Sequence, residues 1–138
     1  MIARPKIDNY PSIQDWRDQK NEERERLGRC YRGKVFWYEF TLQEAAKKLK
    51  TFDMPIAGID MGFRPWDMEN LDSIAYHIDR VNKVDLNYPI ILDDLGNVRD
   101  GFHRIVKAMI ENKKTIKAVR FKEMPPVDGN DERDNDKE

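Results

Sequence analysis

The chain has very little cysteine and no long apolar run. Its 138 residues include one cysteine, Cys30, which excludes an internal disulfide and any metal site built from several thiolates. A lone cysteine is typical of a reducing compartment, and we expect Cys30 to be a partly buried structural thiol. No apolar run is long enough to cross a bilayer, and the first residues do not form a signal peptide. The sequence therefore predicts a cytoplasmic protein without a membrane segment.

Histidine is also scarce, since His77 and His103 are the two in the chain. They form no HExxH motif, and no pair of carboxylates lies near them at the spacing of a metal site, so we predict no metal site. His77 lies next to the apolar stripe of a predicted helix. We expect it to be a hydrogen-bonded histidine at the edge of the core rather than a ligand.

The net charge of -1 conceals an acidic C-terminal end. Residues 128–138 contain six acidic and two basic side chains, a formal charge of -4, which leaves +3 on the remainder by difference. A mildly basic body is compatible with a phosphorylated small molecule or a nucleic-acid backbone. We divide the chain into a charged, partly helical N-terminal arm (1–32), a single domain (33–124) and a disordered acidic tail (125–138).

The first half of the domain alternates between strand and helix patterns. Residues 34–40 are aromatic and β-branched, as a strand favours. Thr41 and Glu44 have the spacing of a capping box, which predicts a short helix over about 42–50. Residues 54–61 read as a second strand.

The clearest helix begins after a turn and is capped by Asp67 or Asn70. Apolar residues recur in it at helical spacing, which predicts that they face the core. They are Met68, Leu71, Ile74, Ala75, Ile78 and Val81.

The second half predicts a hairpin, a helix and a closing strand. Residues 88–92 form a short apolar strand, and the Asp, Gly and Asn of 93–97 favour a tight turn into a return strand over 98–101. A helix over 103–112 and a half-buried strand over 115–121 follow. The order predicts an α+β fold, with a small mixed sheet and packed helices.

Five residues with varied chemistry lie where the return strand changes into this last helix. They are Asp100, Gly101, Phe102, His103 and Arg104. A glycine that opens a helix lets the backbone approach a ligand, and the first helical turn favours an anion. Arg104 adds a planar fork of donors suited to phosphate. A phosphate site and a plain tight turn with solvated caps fit these five residues equally well.

Over residues 54–122 this order of elements resembles the domain shared by ParB partition proteins and sulfiredoxins. Many members end the return strand in Asp-Gly and start the next helix with x-His-Arg, as Asp100 to Arg104 do here. Phe102 stands where sulfiredoxins have cysteine, so sulfinic-acid reduction is excluded. Lys107 stands where partition proteins usually have alanine, and the helix-turn-helix region of a partition protein is not expected here.

The resemblance implies a ParB/sulfiredoxin-like protein that binds the phosphates of ATP or CTP at the start of that helix. Backbone N–H groups of Gly101 and Phe102 would hold phosphate oxygens, Arg104 would neutralise their charge, and His103 would donate a hydrogen bond or a proton. Arg64, in the turn before the long helix, is a second candidate phosphate ligand.

Asp100 has two possible roles in this hypothesis, to hold magnesium through water or to orient a neighbouring side chain. We favour orientation, because a magnesium site would need a second carboxylate and neither Asp60 nor Asp93 is singled out. A kinase or NTPase would also need a base, and the sequence does not select between Glu69, Asp72 and Asp60. The sequence therefore leaves open whether the protein is an enzyme.

Two other hypotheses remain. In the first, a DNA-associated or partner-binding module uses basic residues of the arm and the strand after it, although Glu22, Glu23 and Glu25 balance part of that charge. These basic residues are Arg24, Arg26, Arg29, Arg32 and Lys34, interleaved with Tyr31 and Trp37. In the second, the fold is a scaffold with a vestigial pocket, which Lys107 favours. The sequence selects neither an oligomeric state nor a second substrate.

Overall fold

The computed structural model describes residues 28–62, 64–66 and 68–130, and this part of the chain is an α+β fold with three helices and two sheets. In chain order its elements are β1 (Arg29–Arg32), β2 (Val35–Tyr38), α1 (Glu39–Ala46), β3 (Phe52–Pro55), a 3-10 turn (Ile56–Gly58), α2 (Leu71–Lys83), β4 (Ile90–Leu92), β5 (Val98–Asp100), α3 (Phe102–Ile110), β6 (Thr115–Arg120) and β7 (Gly129–Asn130). The predicted fold class is confirmed.

The larger sheet has the order β3-β6-β4-β5, with β4 and β6 parallel and the other pairs antiparallel. The predicted hairpin over 93–97 joins β4 to β5, and the predicted strand over 115–121 becomes β6. Pro55 ends the edge strand β3, where a residue without an N–H interrupts no central ladder. The 54–61 strand is shorter than predicted and turns into the 3-10 segment.

The smaller sheet extends beyond the predicted domain bounds at both ends, with β1 before residue 33 and β7 after residue 124. β1 forms a hairpin with β2 through Gly33, which has a φ of 62°. β7 pairs with the opposite edge of β2, so that β2 is the central strand of this sheet. Residues 29–32 and 129–130 therefore belong to the fold, while the remainder of the proposed arm (1–27) and of the tail (131–138) lies outside the described residues.

Side chains hold the returning segment on the smaller sheet. Trp37 Nε1 donates to the carbonyl of Pro125 at 2.8 Å, and the N–H of Tyr38 donates to the Asp128 carboxylate at 2.8 Å. A Cβ at Gly129 would lie 2.7 Å from the Phe36 ring. Because glycine has no Cβ, the backbone at residue 129 can pass close to the Phe36 ring.

The helices differ in detail from the sequence prediction. α1 begins at Glu39 with Tyr38 as its N-cap, so the predicted capping box at Thr41 is wrong, and Glu44 instead pairs with Lys47 at 2.7 Å. The early start follows directly from β2, which leaves no loop for a cap at residue 41. α2 is capped by Asn70, whose Oδ1 accepts from the Ser73 N–H at 3.0 Å.

The predicted apolar stripe of α2 is wrong in part. Leu71 and Ile78 are exposed, whereas the two buried residues of the helix are His77 and Val81. The helix is therefore rotated so that a histidine faces inward. In α3, Ile105 and Ala108 face the core as predicted. Asp67, the other proposed cap of α2, lies outside the described residues.

The larger sheet forms the centre of the core, with side chains alternating between its faces. Ile90 and Leu92 of β4 pack on the side of α3, in a cluster completed by Ile59, Ile105, Ala108, Ile116 and Ala118. Ile91 and Val119 face the other side, where Trp37, Leu42, Ala46 and Phe121 cover them. α3 thus packs on the buried face of the larger sheet.

Asp93 connects the hairpin of the larger sheet to β1. Its carboxylate is fully buried and accepts from Arg99 Nε at 2.8 Å, from Arg32 Nη2 at 3.1 Å, and from the N–H groups of Leu95 and Asn97. Burial opposes ionisation most strongly, but the hydrogen bonds from Asn97 and Arg99 outweigh it and lower the pKa of Asp93.

Candidate functional site

A cleft of about 930 Å³ opens at the start of α3. Its walls come from one face of α1, one face of α2, the start of β1, the end of β5, and Trp66 in the loop before α2. Clefts that bind small molecules have volumes of about 300 to 1,000 Å³. The cleft is therefore large enough for a ligand well beyond the size of a single phosphate.

Gly101 is the N-cap of α3 and has a left-handed backbone with a φ of 103°. A Cβ here would lie 2.6 Å from Ile90 Cγ2 and 3.1 Å from Ile90 Cα. The left-handed backbone and the lack of space for a Cβ each require glycine at this position, so no ligand is needed to explain it. Gly101 brings the first turn of α3 onto β4, and that packing directs the turn toward the cleft.

Two histidines meet inside the cleft. Nδ1 of His77 lies 2.8 Å from Nε2 of His103, and the side chain of His77 belongs to a residue that is 3% exposed. At this distance one nitrogen donates and the other accepts, so one hydrogen bond joins the two rings.

Trp66 covers this pair of imidazoles. Its ring stacks on His77 at 4.3 Å and on His103 at 4.2 Å, with interplanar angles of 16° and 15°. Phe102 meets the same indole edge-on at 6.4 Å. The pair of imidazoles, called the histidine dyad below, is thus packed between side chains from three different parts of the chain.

Sequence reasoning missed His77 as a site residue. A stripe drawn through Ile74, His77 and Val81 has the same helical spacing as the chosen one, and it would have placed His77 inward. The apolar side chains of Leu71 and Ile78 made the other stripe look stronger. The partner of His77 lies 26 residues away, which periodicity within one helix does not detect.

Three arginines line the cleft, namely Arg29, Arg80 and Arg99. Arg99 is held by Asp93 and by the Tyr31 carbonyl, which Nη1 reaches at 2.8 Å. Across the part of the chain that the structure describes, three buried arginine Nε atoms have no hydrogen-bond partner, those of Arg32, Arg80 and Arg104. Of the three, Arg80 is the one on the cleft wall.

Two carboxyl groups, those of Asp100 and Glu39, line the same cleft. Burial raises the pKa of Asp100, although Arg104, a hydrogen bond from Gln43 and the charge of Arg80 act against the rise. Asp100 Oδ2 lies 3.8 Å from Arg104 Nη1. Glu39 was not singled out from the sequence, because it reads as the end of a strand.

The structure brings four of the predicted site residues to the cleft and leaves two outside it. Asp100, Gly101, Phe102 and His103 line it. Arg104 instead lies near Tyr88, with Cζ 5.9 Å from that ring, and Arg64 is exposed and is not part of the cleft wall.

The other proposed carboxylates lie elsewhere. Asp60 accepts from the N–H of Gly62 at 2.8 Å, and Asp93 is occupied by its arginines. Glu69 and Asp72 are likewise not on the cleft wall. Within residues 28–62, 64–66 and 68–130, no group of three or more His, Cys, Asp or Glu side chains is placed to hold a metal ion.

Cys30 lies in the cleft wall and Sγ donates to the Arg99 carbonyl at 3.3 Å. Burial, with a smaller effect from the negative charge of Glu39, raises the pKa of the thiol to about 12. The thiol therefore stays protonated at neutral pH, as expected for a structural cysteine.

Some residues proposed for nucleic-acid contact belong to the fold instead. Trp37 is buried, and Arg32 is paired with Asp93 and with Asp94, the latter at 2.6 Å. A side chain that stacks on nucleic-acid bases needs an accessible ring. The buried ring of Trp37 therefore does not stack on a base.

Comparison with known proteins adds no assignment, because no family model, no curated protein and no solved structure matches the chain. The resemblance to the ParB/sulfiredoxin domain stays a prediction from the motif and the order of elements. Among the described helices, none is long and apolar enough to cross a membrane.

Proposed function

We propose that the cleft binds a nucleotide, ATP or CTP, through its phosphates, in a domain of the ParB/sulfiredoxin type. The observation that carries the proposal is Arg80, whose Nε is buried without a hydrogen-bond partner in the described structure and whose side chain lines the cleft at the start of α3. A buried donor without a partner is costly, and an anion that accepts from it removes the cost.

The charge distribution supports an anionic ligand. Arg29, Arg80 and Arg99 line the cleft with Glu39 and Asp100, and Arg99 is already paired with the buried Asp93. The raised pKa of Asp100 favours its neutral form relative to an ordinary aspartate. The positive end of the dipole of α3, a nine-residue helix, adds to this field. A phosphate group at the start of α3 would be attracted by both.

His103 would contribute a directional hydrogen bond at the same place. It is the second residue of α3 and is oriented by His77 and Trp66. An imidazole N–H of His103 would donate to a phosphate oxygen. Asp100 would act as a positioning residue beside Arg104, in keeping with the 3.8 Å separation.

A phosphotransferase or NTPase activity would require a base next to the bound phosphate. Glu39 and Asp100 are the carboxyl groups on the cleft wall, and Glu39 faces the same space as His103. Magnesium would be held by the phosphates and one of these groups. Binding is the part of the function that the arrangement of charges supports best.

Isothermal titration of ATP and CTP, each with and without magnesium, tests the proposal. Arg80→Ala should weaken binding by about 10- to 100-fold, as expected for one hydrogen-bonded charge. Lys83→Ala is the matched control, because Lys83 lies one turn further along α2, is 47% exposed at its side chain and pairs with Asp79. Failure of both nucleotides to bind the unaltered protein at millimolar concentration would refute the proposal.

A further inference from the structure

An aromatic side chain is exposed on the cleft wall. Phe40, the second residue of α1, is 52% exposed and lines the cleft together with Glu39 and Gln43 of the same helix. A large apolar ring at such a position offers surface that a ligand can cover favourably. The ring therefore favours a ligand with a flat apolar part.

The position of Phe40 is fixed by a row of aromatic rings. Its ring stacks on Tyr38 at 5.3 Å with an interplanar angle of 10°, and Tyr38 in turn meets Phe36 edge-on at 5.3 Å. The guanidinium of Arg29 lies over Phe36 at 4.3 Å and over Tyr38 at 5.4 Å. Phe40 is the end of this row on the cleft side, so a planar group placed on it would continue the stack.

Trp66 is a poorer platform for the same ligand. One stacking position of its indole is taken by the two imidazoles, and Phe102 meets it edge-on. Phe40 has a single described ring partner, Tyr38.

A contact between α1 and the segment before α3 connects Phe40 with the place where the phosphates are proposed to bind. Gln43 lies one turn after Phe40 on α1 and hydrogen-bonds to Asp100, the residue before the N-cap of α3. An extended ligand could therefore rest its ring on α1 and its charged end between Arg80 and α3. Nucleotides combine a flat aromatic base with phosphates in this way.

We propose that Phe40 is the stacking platform for the base of the nucleotide, and that it distinguishes nucleotides from phosphate compounds without an aromatic base. The inference rests on the proposed function, since it takes the phosphates to lie at Arg80. Stacking on an aromatic side chain does not select one base, because every base has a π-face.

Titration of ATP and of inorganic tripolyphosphate into the full chain and into Phe40→Ala tests the inference. The variant should lose about 5- to 100-fold in affinity for ATP and keep its affinity for tripolyphosphate within about twofold. Phe40→Trp should retain ATP binding. Phe52→Ala is the matched control, because Phe52 is 41% exposed on β3 and lies outside the cleft wall.

The outcomes separate the two proposals. If the unaltered protein binds tripolyphosphate as tightly as ATP, or if Phe40→Ala weakens both ligands equally, the platform is refuted and the phosphate site stands. If neither ligand binds the unaltered protein, both proposals fail. Thermal melts of each variant establish that the affinities refer to folded protein.

Discussion

Nδ1 of His77 lies 2.8 Å from Nε2 of His103 beneath one face of Trp66, and this contact joins the middle of α2 to the first turn of α3. The two helices pack against each other, and the dyad supplies a specific polar contact between them. A buried imidazole needs a partner for its polar nitrogen. The pair therefore explains why a histidine is buried on α2, and it lies on the wall of the cleft.

Removal of either histidine should destabilise the fold, and removal of both should cost less than the sum. His77→Ala or His103→Ala leaves the other imidazole without its hydrogen-bond partner, so each should lower the free energy of unfolding by about 1 to 3 kcal/mol. The coupling from a double-mutant cycle should be about 1 kcal/mol, measured by urea unfolding monitored by circular dichroism. Simple additivity would show that the two nitrogens do not interact.

Replacement of Gly101 should be far more disruptive than replacement of Gly33. Both have positive φ, but a Cβ at Gly101 would overlap Ile90, whereas a Cβ at Gly33 has nothing within 4 Å. Gly101→Ala should cost about 3 kcal/mol from strain and overpacking, and Gly33→Ala about 1 kcal/mol from strain alone. Urea midpoints of the two variants provide the comparison, and equal losses would contradict the predicted clash.

The parts of the fold that the sequence predicts well are those whose causes are local. The turn over 93–97 carries its own Asp, Gly and Asn chemistry, and β6 shows period-two alternation along its length. The misplaced stripe of α2 has a distant cause, because the imidazole of His77 becomes a core group only through His103.

The smaller sheet shows the same dependence on distance. β7 has two residues and no apolar side chain, and its position depends on bonds such as the one from the Tyr38 N–H to Asp128, 90 residues along the chain. At the site, the Asp100 to His103 segment was identifiable from its residue types. Arg80 and Phe40 were not, because they become neighbours of that segment only when the helices pack.

Asp93 should make stability depend on pH in the acidic range. Its pKa is lowered in the folded protein, so its contribution is present above the unfolded value of about 3.9 and is lost as pH falls through the folded pKa. Asp93→Asn should cost about 3 kcal/mol at pH 7, since it leaves Arg99 and Arg32 without their buried anion.

Urea unfolding between pH 7 and pH 2 checks the effect of Asp93→Asn. The difference from the unaltered protein should shrink as the native carboxylate becomes protonated. Asp94→Asn is the control, because Asp94 binds Arg32 from a more exposed position and should cost much less. A difference that stays constant down to pH 2 would contradict the ionised state assigned to Asp93.

Cys30 should resist alkylation in the folded protein and react readily after unfolding. Its pKa of about 12 leaves almost no thiolate at pH 8, and Sγ is engaged with the Arg99 carbonyl. The unfolded thiol has a pKa of about 8.5 and would be partly ionised there, so iodoacetamide should react at least tenfold faster in 8 M urea. Intact mass spectrometry over time measures this directly, since the chain has a single cysteine. Equal rates with and without urea would show that the thiol in the cleft wall is accessible and ionised, and Cys30 would then be a reactive group rather than a structural one.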